Sequence, residues 1–214
     1  MKLQLTVYFT YIFIVYAGIV AYSCQSDSRP DKNTGSGNSF DNRRSPLMLD
    51  LIRAEEMFAA GEPHQALELI DELASKQPQW ADLYLLKGNI LTTVSQNGRA
   101  RSAYEKLVKI DPDYLSAWFK LGNNAYRNKQ YRQAINFYNQ ELTGKQANAL
   151  QSKDKQITML QIGRCYMHLG EADSALIVYK KCIKIDSLYS EVMGDLARLY
   201  TDNGEYKTAI AFAN

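Results

Sequence analysis

Histidine and cysteine are the side chains best able to do chemistry in this chain, and both are scarce. His64 and His168 are the only histidines, far apart in sequence, so no paired-histidine helix motif and no histidine-based metal cluster can be assembled from them. No glycine-rich loop joins a strand to a helix, no nucleophile elbow is present, and the stretch Gly35 to Gly37 lies in a polar run. A lone general base with no nucleophile, metal or phosphate loop leaves no reaction to assign. The sequence therefore predicts no enzyme, no cofactor, no metal and no small-molecule substrate.

The remaining reactive residue of interest is Cys24. It follows an uncharged stretch, Leu3 to Tyr22, preceded by Lys2, that is long enough as a helix to cross about 30 Å of hydrocarbon. The length suits an uncleaved anchor. Ser23-Cys24 at its end resembles a bacterial lipoprotein signal, in which a cysteine after a small residue receives diacylglycerol and becomes the new N-terminus, although Ala21 and Tyr22 depart from the usual pattern. That resemblance implies lipidation at Cys24, removal of residues 1–23 and a partner membrane reached through acyl chains worth about 0.8 kcal/mol per buried CH₂. A helix anchor retained at Leu3 to Tyr22 and a plainly cleaved signal are the alternatives.

Lys2 is the one basic residue before Cys24, so removal of that segment takes the net charge from +2 to +1. No basic run exceeds Arg43-Arg44, and no nucleic-acid partner is expected. Residues 24–46 contain QSDSRPDKNTGSGNSFDNRRSP, too poor in apolar residues to order themselves, and read as a tether. Order is expected to begin at Ser45-Pro46, a cap followed by proline at the first helical position. Nothing beyond shows the period of two that a half-buried strand requires.

The elements that follow repeat. Ala66, Ala100 and Ala134 lie 34 apart, as do Gly88 and Gly122, and as do Ala175 and Ala209 after a longer step. In register the units are 47–80, 81–114, 115–148, 156–189 and an incomplete 190–214, each a pair of helices. Position 8 holds Ala54, Gly88, Gly122, Gly163 and Ala197; position 20 holds Ala66, Ala100, Ala134, Ala175 and Ala209. Small residues in both columns let two helices approach closely, and position 8 is expected to face position 20.

Trp118, Leu121-Gly122, Tyr131, Ala134 and Tyr138 make the third unit resemble the tetratricopeptide repeat (TPR) family, and the resemblance extends over residues 47–214. It implies an all-α fold, a right-handed α-solenoid of antiparallel helix pairs with about 4.5 repeats. It also implies a groove lined by positions 2, 5, 9, 12 and 13 of each first helix. Position 9 supplies Glu55, Asn89, Asn123, Arg164 and Arg198, and neighbouring positions add Phe119, Tyr126, Arg127, Met167 and His168. Asparagine can pair with a peptide backbone, arginine can fork onto a carboxylate, and aromatic rings can bury an apolar side chain. The expected partner is a protein or peptide segment with acidic character. Family members that clamp a C-terminal carboxylate carry lysine at position 5, where this chain has Leu85 and Phe119.

Three departures qualify the pattern. Asp50 replaces an aromatic at position 4 of the first unit, suiting an end repeat with one polar side. Seven extra residues fall within Leu142 to Lys155; Thr143-Gly144 should end one helix, and the helix-favouring stretch Ala147 to Gln156 should start the next one early. The sequence also stops partway into its last helix, so a truncated product or the N-terminal part of a longer array is expected. Cys165 and Cys182 occupy positions 10 and 27 of one unit, an axial offset of about 9 Å against the roughly 7 Å a disulfide tolerates, and read as free core residues. Together these features predict a membrane-anchored interaction scaffold or accessory subunit of a bacterial cell-envelope assembly, facing the periplasm or the exterior, with the outer membrane favoured. The alternatives are the interaction part of a longer membrane-bound regulator and an enzyme acting near 147–156.

Overall fold

The computed structural model describes residues 46–186 and 189–213. Cys24, the segment Leu3 to Tyr22 and the tether before Pro46 lie outside the described residues. Ten α-helices follow in order: α1 Pro46–Ala59, α2 Pro63–Lys76, α3 Ala81–Thr93, α4 Asn97–Ile110, α5 Ala117–Arg127, α6 Tyr131–Thr143, α7 Ser152–His168, α8 Ala172–Ile183, α9 Ser190–Asp202 and α10 Tyr206–Ala213. Consecutive helices pack on one another, and there is no strand among the described residues. No helix among them is long and apolar enough to cross a membrane.

The turn inside each pair is built the same way five times. Its fifteenth repeat position has positive φ, at Gly61, Ser95, Lys129, Gly170 and Gly204. The next residue's N–H closes on the carbonyl five residues back, as from Gln96 to Leu91 at 2.8 Å and from Gln130 to Ala125 at 2.9 Å. This is a Schellman-type stop, so Ser95 and Lys129 accept a left-handed backbone that costs a non-glycine residue about 1–2 kcal/mol.

Packing within a pair shows what lies nearest to position 8. The atoms nearest to a Cβ built on Gly88, Gly122 or Gly163 belong to Tyr104, Tyr138 and Tyr179, at position 24, and not to the alanine at position 20. Each such Cβ would fall closer than 3.0 Å to the ring, so glycine is present because an aromatic ring packs against it. Where position 24 is Ile70, position 8 is Ala54, and both are fully buried. Position 20 is small as well; Ala66, Ala100, Ala134 and Ala175 have no exposed surface.

The segment between the third and fourth units is also more articulated than expected. α6 does end at Thr143, but a short 3₁₀ turn, Lys145–Asn148, follows, and α7 begins only at Ser152. Gln151 and Asp154 form a reciprocal capping box that fixes this start, with Gln151 N–H donating to Asp154 Oδ2 at 3.3 Å. α7 thus gains about one turn on its neighbours. The exposed side of α1 is mixed, with Leu49 and Ile52 57% and 40% exposed beside the exposed Arg53, Glu55 and Glu56.

Glu141 on α6 caps α5 from outside. Its carboxylate accepts the Ser116 N–H at 3.1 Å and the Phe119 N–H at 3.3 Å while almost wholly buried. Burial raises its pKa above the ordinary 4.5, more than these backbone hydrogen bonds lower it. The folded state therefore holds this proton more tightly than the unfolded one, so its contribution to stability is complete below about pH 4.5 and declines as pH rises toward the raised folded value. Urea unfolding should show the native chain losing stability relative to Glu141→Gln as pH rises from 4.5; a difference constant with pH would refute the raised value.

Candidate functional site

First helices of the fourth and fifth pairs, with the end of α5, enclose an open cavity of about 540 Å³. Its walls are Tyr126, Arg164, Met167, His168, Asp195, Arg198 and Asp202. Five of these come from the nine groove residues singled out in the sequence. They meet because repeat positions 9, 12 and 13 of successive first helices face the same side.

Two side-chain clusters shape the cavity. On one side, His168 stacks on Tyr131 with ring centroids 4.6 Å apart and planes at 6°, and its Nε2 shares a 2.9 Å hydrogen bond with the Tyr126 hydroxyl. Tyr126 also meets Tyr131 edge-on at 5.6 Å, so three rings fix the third pair to the fourth. Burial holds the Tyr126 phenol above its usual pKa, so the hydroxyl stays a neutral donor and acceptor at neutral pH.

On the other side, Asp195 gathers both arginines. Arg164 Nε donates to Asp195 Oδ2 at 2.8 Å, Arg198 Nη2 donates to Asp195 Oδ1 at 3.3 Å, and the Tyr179 hydroxyl donates at 3.4 Å. The Asp195 side chain is 12% exposed, that of Arg164 33% and that of Arg198 59%. A carboxylate this buried must be paired, which accounts for both arginines turning toward it. Asp195 and Asp202 balance the two guanidinium charges, so the acidic character expected of the partner is weakened. Arg198 is the more exposed of the pair and is held by the longer contact.

The other four groove residues lie elsewhere. Asn89 and Asn123 accept hydrogen bonds from the hydroxyls of Tyr104 and Tyr138 at 3.0 and 2.7 Å, so their carbonyl oxygens are engaged with the core. Phe119 packs its ring on Tyr138 at 5.7 Å and serves the interior. Arg127 is exposed and outside the cavity.

Sequence reasoning missed Tyr131, Asp195 and Asp202. Asp195 was accessible in principle. In a 34-residue array, position 9 of one first helix sits beside position 6 of the next, 31 residues on, and a search at that spacing pairs Arg164 with Asp195. Cys165 and Cys182 are free and buried, as expected, with burial pushing their thiols up to about 12 and about 11. Such thiols stay protonated and unreactive at neutral pH. His64 is exposed in the first turn of α2. Among the described residues no three His, Cys, Asp or Glu side chains are grouped to hold a metal ion.

No curated protein matches the chain. Residues 93–149 and 158–187 each match a family model described as tetratricopeptide repeat. Among solved structures, residues 41 to the end of MamA from Desulfovibrio magneticus RS-1 superpose with a TM-score of 0.68 at 17% identity, covering 78% of this chain and 90% of that one. Nearly identical TPR-like repeats of a Podosopora anserina putative kinesin light chain give 0.64 at 19% identity, covering 78% and 90%. YrrB, described as a TPR protein with an unusual peptide-binding site, gives 0.63 at 16% identity, covering 78% and 82%. Residues 93–149 and 158–187 thus carry tetratricopeptide repeat sequence, and the helix pairs of this chain share the fold of those structures.

Proposed function

We propose that the chain is a membrane-anchored interaction scaffold, or an accessory subunit, of a bacterial cell-envelope assembly, and that it takes a segment of a partner protein in the cavity between its fourth and fifth pairs. The observation that carries this reading is the convergence there of Arg198, Met167, His168 and Tyr126 around one open space. Arg198 offers charge-assisted donors, Met167 an adaptable apolar contact, and the Tyr126–His168 edge both donor and acceptor. The set suits a peptide that presents a carboxylate beside an apolar side chain, and YrrB is a TPR protein described as binding a peptide. Lipid attachment at Cys24 would supply the tether and raise the local concentration of partners in the same membrane. The outer membrane, facing the periplasm or the exterior, is the proposed location.

A photo-crosslinking residue placed at Met167 in the full chain should trap a partner from intact membranes, and Arg198→Glu should weaken capture by about tenfold. Adducts insensitive to Arg198→Glu would refute the cavity as the contact. In the same cells Cys24→Ala should release the chain from the membrane pellet or block its processing. Unchanged fractionation and unchanged mass would refute lipidation while leaving the cavity reading intact.

A further inference from the structure

On the side of the array formed by second helices, the second and fourth units each have a notch walled by repeat positions 4, 7, 22, 23 and 26, and the third unit brings its own side chains to the same positions. Three units treat this notch differently. In the second unit it is 210 Å³ and cationic; Lys87 is tied to Asp71 at 2.5 Å, and the Lys106 ammonium lies 5.8 Å from the centre of the Tyr84 ring. In the third unit positions 4 and 23 are Trp118 and Phe137, whose rings stack at 6.1 Å and 29°. In the fourth unit the same positions are Met159 and Val178, and the notch is an open 330 Å³ with Ile162 and Ile177 on its walls. Ile177, at the position held by Ser102 in the second unit, is 57% exposed.

We infer that this notch on the fourth unit is a second docking site, and that its occupant is an aromatic side chain on an acidic segment of a partner protein. The aromatic part follows from the chain itself, since the corresponding space one unit earlier is filled by an indole against a phenyl ring. Met159 and Val178 leave that volume empty and line it with adaptable apolar surface. The acidic part follows from charge. Lys181 stands on the rim, and Lys180 and Lys184 continue the exposed basic end of α8. The site is independent of the cavity between the first helices, so one partner segment can dock on each side.

Fluorescence anisotropy of the labelled peptide Asp-Glu-Trp-Glu-Asp against the full chain in detergent micelles tests this. Saturable binding is expected, weakened roughly tenfold when the peptide's tryptophan is replaced by alanine. Met159→Trp/Val178→Phe, which installs the third unit's aromatic pair in the fourth, should reduce binding by a similar factor. Ile177→Asp is a second variant at an exposed position that folding tolerates, and should do likewise, whereas Arg198→Glu should leave binding unchanged. No saturable binding, or binding indifferent to both notch variants, would overturn the inference. A dimer seen by sedimentation that the notch variants dissolve would also overturn it, by giving the notch to a second copy of the chain.

Discussion

Gly122→Ala is expected to lower stability in urea unfolding by about 2 kcal/mol, although alanine is the better helix former by about 1 kcal/mol. The added methyl would enter the space of the Tyr138 ring, which is fully buried and anchored by its hydroxyl to Asn123 at 2.7 Å, so the ring cannot swing aside. The first unit supplies the compensating pair, because Ala54 there meets position 24 as Ile70. Tyr138→Ile alone should also cost about 2 kcal/mol or more, through the void left by the lost ring and the broken hydroxyl contact. Combined with Gly122→Ala, however, it should cost little more than it does alone, a coupling of about 1–2 kcal/mol. If the two losses simply add, the ring is not what excludes the methyl group.

That pairing shows how much of the architecture was legible in the sequence. The 34-residue period, the small columns at positions 8 and 20 and the end of α6 at Thr143 are local or periodic, and all three are present in the fold. The ring lying against position 8 went unread because both columns are small, and smallness alone does not say which position on the opposing helix supplies the bulk. Gly88, Gly122 and Gly163 each recur with a tyrosine 16 residues later, and that covariation within the chain was the usable signal. The site was legible where it follows from register, at Arg164, Met167, His168, Arg198 and Tyr126. It was illegible where the outcome depends on competition for a buried group. Nothing local to Arg164 announces that a carboxylate 31 residues away claims it, or that Asn89 and Asn123 spend their carbonyls on tyrosine hydroxyls. The 3₁₀ turn at Lys145–Asn148 escaped for a related reason, since helix propensity over 147–156 was outweighed by the cap formed between Gln151 and Asp154.

Arg164→Met is expected to cost about 2 kcal/mol, somewhat below the 3–5 kcal/mol for breaking a fully buried ion pair because the arginine side chain is a third exposed. The loss comes from stranding Asp195, whose remaining partners are the longer contacts to Arg198 at 3.3 Å and Tyr179 at 3.4 Å. Arg198→Met should cost under about 0.5 kcal/mol, since its side chain is 59% exposed and the pair is screened by water. Removing the acid along with the base, in Arg164→Met/Asp195→Leu, should restore most of the stability, because no uncompensated charge is left in the interior. The contrast separates the roles of two arginines that look equivalent at position 9. Arg164 holds the fourth pair to the fifth, and Arg198 can exchange its contact to Asp195 for a partner's carboxylate at little cost to the fold. Equal losses from the two single substitutions would mean that neither arginine is free, and partner recognition in the cavity would then have to rest on Met167 and the Tyr126–His168 edge.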